Sequence, residues 1–286
     1  MINKELLKEF IPKKDKEIYS TDTLGKIIYI RHGRSIYNDD CEKLGEMNII
    51  TNSKYINADL CEKGIEQAQS KQNIYNKLDI LVGYVSPLNR AIQTAYNIFE
   101  NHPQRNNFTF IVHPFLTEIV ISITDLIDDI EKTKKKYNLN SKVKFDWSLF
   151  DEYYKTEKER NLFFFNYVDA FDDETKKYFV NKISESYKKP EFLNNLSEMI
   201  QKEMELKLWG IETLNHCFYR GLNFKKFIKD KYKNDLNNNE KKIIVVTHSD
   251  YVRLASSKKA FECEKIEKFP DDGILLKNCE CLSIYI

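Results

Sequence analysis

The sequence predicts a three-layer αβα fold of the α/β class, with a mostly parallel sheet and a helical cap insertion. Three observations carry that expectation. Short Ile- and Val-rich runs, each followed by polar or Gly/Pro punctuation, read as buried parallel strands. Amphipathic segments alternate with them, as crossover helices do in a sheet covered on both faces. A long stretch rich in Lys, Glu, Tyr and Phe then interrupts the alternation without a convincing strand of its own.

In chain order, the strand candidates are residues 26–30, 80–86, 108–112 and 243–247, with 282–286 as a possible last strand of the same sheet. Residues 59–77 carry Leu60, Ile65, Ala68 and Ile74 at roughly helical spacing. Residues 88–99 follow Pro87, which suits a helix start, and place Ala91, Ile92, Ala95 and Phe99 on one face. The stretch 125–190 reads as extra helices laid over the sheet, and 197–232 as a long helix or helix pair with Trp209, Leu214 and Phe218 facing the core. Residues 234–242, which include Asn237-Asn238-Asn239, read as a polar loop. The expected organisation is an N-terminal extension at 1–25, an α/β core at 26–118 and 243–286, and a helical cap at 119–242 that also holds a core helix near 197–232.

Composition narrows the function classes. The chain has 286 residues, 42% hydrophobic and 31% charged, which suits a globular domain with a sizeable core. A formal net charge of +1 provides no global field for nucleic acid or an anionic membrane, so an anion site must be built locally. Residues 1–16 are charged throughout, and the most apolar stretch, near 119–127, is too short to span a bilayer. The six cysteines form no C-x-x-C pair and read as reduced thiols of a cytoplasmic protein. The lysine run at 132–136 reads as a solvated helix face.

The chemistry gathers at strand ends. The first strand empties into Arg31-His32-Gly33-Arg34-Ser35, with Asn38 a short step on. That is the carboxyl edge where open α/β sheets bind ligands, and Gly33 allows a sharp turn and close approach to a ligand. The second leads to Ser86-Pro87, with Arg90 in the first turn of the following helix, where its fork can grip phosphate oxygens. The fourth ends in Val246-Thr247-His248-Ser249, and the third leads to Leu116-Thr117-Glu118, a carboxylate on the same rim. His102, His113 and His216 read as structural or exposed, although His113 lies close enough to the rim to touch substrate. Phe163, Phe164 and Phe165 read as packing, and no serine or cysteine triad is present.

Four of these matches occur in the order of one family. Arg31-His32-Gly33 with Asn38, Ser86-Pro87-x-x-Arg90-Ala91-x-Gln93-Thr94, Leu116-x-Glu118 and Val246-Thr247-His248 together resemble the histidine phosphatase superfamily, which includes phosphoglycerate mutases. The stretch from Leu60 to Ala68 resembles that family's Leu-Thr-x-x-Gly-x-x-Gln-Ala, with Cys61 in the Thr place. The resemblance implies that His32 is the nucleophile and forms a phosphohistidine. Arg31, Arg90 and His248 would surround the phosphoryl oxygens, with Asn38 as a neutral donor. Glu118 would be the general acid and base, with Asp125 as the fallback acid. No metal or cofactor is implied, because the clamp supplies positive charge.

The implied substrate is a small phosphorylated metabolite or a phosphoprotein, with no role for nucleic acid or membrane. The implied reaction is phosphomonoester hydrolysis, with a mutase or a catalytically silent phospho-ligand-binding relative as alternatives. This chain departs from the family at Arg34, where Glu is common, and at Ser249, where Gly is usual. Arg34 either widens the anionic reach of the pocket or points to solvent. Ser249 either restrains the backbone or donates a hydrogen bond. An Asn-Ser pair typical of the mutases after the second histidine is missing, which favours hydrolysis.

Overall fold

The computed structural model describes residues 26–127, 129–138, 141–208, 210–238 and 240–284. The expected N-terminal extension, Trp209, Asn239 and residues 285–286 lie outside them. Six strands form one sheet: β1 (Ile27–Arg31), β2 (Ile80–Val85), β3 (Phe110–Val112), β4 (Phe145–Asp146), β5 (Lys242–Thr247) and β6 (Cys281–Ile284), in the order β4-β3-β2-β5-β1-β6. All neighbours run parallel except β6, which pairs antiparallel with β1 at the sheet edge. The parallel register aligns Arg31 with Thr247 and Val85 with Val246, so β1, β5 and β2 end side by side. Three adjacent carboxyl ends on one edge create the place for a site.

The helices in chain order are α1 (Ile36–Leu44), α2 (Glu62–Gln69), α3 (Gln72–Tyr75), α4 (Asn89–Phe99), α5 (Ile130–Asn138), α6 (Ser148–Tyr153), α7 (Glu157–Asn161), α8 (Asp173–Ser186), α9 (Phe192–Glu205), α10 (Leu214–Asn238), α11 (Ser249–Ala255) and α12 (Lys258–Glu262). Strand residues alternate between two apolar clusters, as the two-residue period requires. Ile28, Ile30, Ile244 and Val246 face one cluster, built with α4 and with the inserted segment through Phe150, Phe163, Phe179, Ile183 and Met199. Ile27, Tyr29, Ile243 and Val245 face the other, built with Leu214, Phe218, Phe224 and Leu254 of α10 and α11. The three-layer arrangement is therefore as the sequence predicts, and the inserted helices share one continuous core with the sheet.

Several details differ from the sequence expectation. The inserted segment does contribute a strand, the two-residue β4. It is too short to carry an alternating pattern, and it reaches the edge by pairing with β3. The helical stretch 59–77 is two helices separated at Ser70 and Lys71. The asparagine-rich stretch expected as a loop from 234 continues α10 as far as Asn238. In the lysine run, Lys134 is largely covered. It pairs with Asp151 and Glu131 and sits 5.7 Å from the Trp147 ring, so that face of α5 is not simply solvated. Among the described residues, no helix is long and apolar enough to cross a membrane. Cys41, Cys61, Cys217, Cys279 and Cys281 are free thiols.

One local choice is suboptimal. Cys61 is the N-cap of α2 and makes no side-chain hydrogen bond to the helix start. A threonine there supplies an acceptor for an otherwise unpaired amide. Cys61→Thr is expected to stabilise the protein by about 1 kcal/mol. In thermal unfolding this reads as a midpoint higher by roughly 2–4 °C; an unchanged or lower midpoint would contradict the capping argument.

Candidate active site

The turn after β1 is held from three sides. The Gly33 N–H donates to Thr94 Oγ1 of α4 at 2.8 Å, and the same hydroxyl donates to the Arg90 carbonyl at 2.6 Å. The Arg34 N–H donates to Gln67 Oε1 of α2 at 2.9 Å. Behind, the Cys279 N–H donates to the Arg31 carbonyl at 3.2 Å and Asn278 Nδ2 to the His32 carbonyl at 3.1 Å. Gly33 is needed for close approach to protein: a Cβ on it would lie 2.6 Å from the Gly64 carbonyl oxygen. A Cβ on Gly64 would in turn meet the Arg34 carbonyl oxygen at 2.0 Å. Two chain segments thus touch backbone to backbone, a second reason for glycine at position 33 beside the turn.

His32 sits in this turn, almost fully buried. Its Nδ1 donates to the Gly33 carbonyl at 2.7 Å, which places the ring hydrogen on Nδ1 and the lone pair on Nε2. Burial, then the nearby Arg90 and Arg31 guanidinium groups, hold its pKa well below the ordinary value, outweighing the bond to Gly33. His32 is therefore neutral over the physiological range.

His248, at the end of β5, faces it with ring centroids 5.0 Å apart. Its Nε2 is 2.8 Å from Ser86 Oγ, while its Nδ1 is buried with no hydrogen-bond partner. Ser86 Oγ already accepts from the Leu88 N–H at 3.3 Å. Donating its own hydrogen to Nε2 uses the hydroxyl fully and leaves a hydrogen on His248 Nδ1 for an incoming acceptor. His248 is also neutral, its pKa held well down by burial first and then by Arg90.

Arg90 occupies the first turn of α4, where the sequence places it. One arm of its fork donates to the Thr124 carbonyl at 2.7 Å and the other to Asp125 Oδ1 at 2.8 Å. Both members of this ion pair are buried, and losing one partner of such a pair costs about 3–5 kcal/mol. Asp125 Oδ2 is taken by the Ile121 and Ser122 N–H groups and by Ser122 Oγ. The carboxylate considered as a fallback acid is thus the group that orients Arg90. Arg31 anchors one terminal nitrogen on the Leu276 carbonyl at 2.8 Å and leaves Nε buried without a partner.

Glu118 lies against the start of α11. Its Oε1 accepts from the Ile119 N–H at 3.0 Å and the Tyr251 N–H at 2.9 Å, and its Oε2 has only a long contact of 3.4 Å with the Asp250 N–H. Burial is the largest influence on it, followed by the charges of Asp250 and Asp125. Together they outweigh Arg90 and push its pKa up to about 8. The proton belongs on Oε2, the less engaged oxygen. The backbone around Glu118 is held by Arg220 of α10, which donates to the carbonyls of Phe115, Thr117 and Glu118 at 2.7, 3.0 and 3.2 Å. Arg220 is paired in turn with buried Glu212 at 2.8 Å.

Four of the six residues singled out in the sequence, Arg31, His32, Arg90 and His248, therefore meet at one edge of the sheet, with Glu118 beside them. Asn38 uses its side-chain oxygen and backbone amide in a helix cap, bonds that do not involve its Nδ2 donor. Its Oδ1 accepts from the Ser35 N–H at 3.2 Å, and its N–H donates to Ser35 Oγ at 3.1 Å, a reciprocal cap that starts α1. Arg34 is drawn away by Asp39, at 2.8 Å, and by Glu42, both on α1, so it widens nothing in the pocket. His113 caps the turn Pro114–Leu116 and packs against Tyr84, Phe224 and Phe227. His102 is buried against the Leu78 carbonyl, and His216 pairs with Glu212. Sequence reasoning gave no role to Ser86 and Thr94, although both stood inside a quoted motif. Arg220 and Glu212 carried no local signal, because their partners lie across the fold.

Residues 27–148 match the protein-family model described as the histidine phosphatase superfamily, branch 1. No curated protein sequence matches the chain. Among solved structures, it is similar to an ecdysone phosphate phosphatase from Bombix mori, at 14% identity, covering 89% of this chain and 86% of that one, with a TM-score of 0.47. It is also similar to a phosphoglycerate mutase from Bacillus anthracis, at 16% identity, 81% and 78% coverage and a TM-score of 0.42. A mycobacterial glucosyl-3-phosphoglycerate phosphatase matches at 12% identity, 85% and 87% coverage and a TM-score of 0.40. The matched residues 27–148 carry β1, the Arg31-His32-Gly33 turn, Arg90 and Glu118, so the part of the chain that resembles the histidine phosphatase superfamily, branch 1, is the part that holds these residues.

Proposed function

We propose that this protein is a phosphomonoesterase that works through a phosphohistidine on His32, without a metal. The observation that carries this reading is the state of His32: neutral, with Nδ1 tied to Gly33 and the Nε2 lone pair free beside two arginines. In the first step Nε2 attacks phosphorus and the P–O bond to the alcohol breaks. Glu118 passes its Oε2 proton to the departing alkoxide. In the second step the carboxylate takes a proton from water as that water attacks phosphorus. The P–N bond breaks, inorganic phosphate leaves, and both residues return to their starting states.

Arg31, Arg90 and the Nδ1–H of His248 offer donors to the three equatorial oxygens, on which charge is spread in the transition state. Arg90 and His248 are buried and Arg31 half-buried, and their pre-oriented placement is what makes such a clamp effective. Asp125 and Ser86 act through Arg90 and His248 as positioning residues. We place the inserted segment 119–242 as the part that selects the substrate, since it follows Glu118 directly and supplies Asp125.

The test is a labelled aryl phosphate in metal-free buffer. The reading expects steady phosphate release and a trapped phosphoprotein that is acid-labile, base-stable and lost in His32→Ala. Turnover that survives His32→Ala would refute it.

A further inference from the structure

Two buried cations of α10 lead by hydrogen bonds to one carboxyl group, that of Glu118. Arg220 holds the carbonyls of its segment. Lys225, farther along α10, is only 1% exposed, and lysine is almost never buried so fully without a partner. Its Nζ donates to the carbonyl of Ala255, the last residue of α11, and lies 5.3 Å from the centre of the Phe261 ring. Burial pulls its pKa down to about 7. A methionine would fill the same space with no polar end to satisfy, so packing alone does not account for an amine here.

The last carbonyls of a helix have no partner within it, and a lysine is a suitable donor to them. Here the lysine comes from the neighbouring helix. The two helices touch directly: a Cβ on Gly221 would lie 3.5 Å from Ala255 Cβ and 3.7 Å from the Tyr251 hydroxyl oxygen. Gly221 and Lys225 are one turn apart on α10, as Tyr251 and Ala255 are on α11, so one face of each helix meets the other. Arg220 lies at the other end of this contact, its guanidinium carbon 5.7 Å from the centre of the Tyr251 ring. There the Tyr251 N–H donates to Glu118 Oε1 at 2.9 Å. Lys225 thus grips the end of a 7-residue helix whose first turn holds Glu118.

Resting on the phosphomonoesterase reading, in which Glu118 is the proton donor, we infer that Lys225 is a positioning residue for that donor: by holding the Ala255 carbonyl it fixes α11, and with it the Tyr251 amide against Glu118 Oε1. Without that hold α11 is free to slide or tilt along α10. The Tyr251 bond then lengthens, while the Ile119 bond, made within Glu118's own segment, stays. A hydrogen bond to the carboxylate favours its charged form, so losing one raises the Glu118 pKa further and leaves the Oε2 proton less well aimed.

The test is Lys225→Met, read as a pH profile with an alkyl phosphate, whose leaving group needs a proton. The alkaline limb set by Glu118 is expected to move up by about half a pH unit or more. Below it kcat should fall roughly tenfold, with KM within about twofold. Lys225 is largely uncharged over the range of that limb, so the shift reports the place of the Tyr251 amide rather than a lost charge. Formation of the phosphohistidine from a nitrophenyl ester, which needs no proton donor, should keep its native rate within about twofold. Ile183→Val, which loosens the apolar cluster on the other face of the sheet, should leave the limb in place. Lys225→Gln, one bond shorter, is expected to move the limb in the same direction as Lys225→Met. An unmoved limb in whichever variant folds, an equal loss with both kinds of ester, or loss of the fold in both variants would overturn the inference and leave the phosphomonoesterase reading standing. Absence of the phosphohistidine in the native protein would overturn both.

Discussion

His32→Ala is expected to lower kcat on an aryl phosphate by about four orders of magnitude or more, the scale seen when a covalent nucleophile is removed. The fall should appear in kcat far more than in KM, because Arg31, Arg90 and His248 still bind the phosphoryl group. Misfolding is a competing explanation for any buried substitution. Added imidazole separates the two, since it fits the space vacated by the ring and carries the same lone pair. Partial recovery of turnover with imidazole, alongside an unchanged unfolding midpoint, is the expected outcome. A loss of less than tenfold would mean that the lone pair on Nε2 is not the attacking group.

Glu118→Gln should cost roughly 10²- to 10⁴-fold in kcat, the usual range for a positioned proton donor. Its pH signature is more diagnostic than its size. The Glu118 carboxyl has its pKa pushed up to about 8, so the donor form is present below that pH and is lost as pH rises through it. The rate with a poor leaving group should therefore fall on the alkaline side in the native protein. In the glutamine variant that limb should vanish. A good leaving group, whose alkoxide needs no proton, should narrow the gap between native and variant rates. If the alkaline limb persists in Glu118→Gln, the proton comes from elsewhere.

Much of this site was legible because it is local. Each strand end is a short segment in which hydrophobicity stops and functional residues begin, so His32, Arg90, Glu118 and His248 are visible without tertiary knowledge. Asn38 shows the opposite limit. An asparagine three residues after Ser35 fits a phosphate donor and a reciprocal helix cap equally well, and the structure shows its oxygen in the cap, a bond that leaves the Nδ2 donor out. Arg34 is similar: its two acidic partners sit one and two turns into α1, a pattern readable only once α1 is known to start at Ile36. The raised pKa of Glu118 follows chiefly from burial, which no linear pattern encodes. Neither Arg220 nor Glu212 could be placed, since their bonds to the Glu118 segment span about 100 positions in the chain.

The backbone contact between Gly33 and Gly64 has a kinetic corollary. Arg34 gives its amide hydrogen to the Gln67 side chain of α2, and the turn that carries His32 rests directly on the first coil of that helix. That hydrogen is released to solvent when α2 lifts away. The docking of one poorly capped helix therefore bears on the nucleophile's turn, and exchange at a single amide reports how often the two part company.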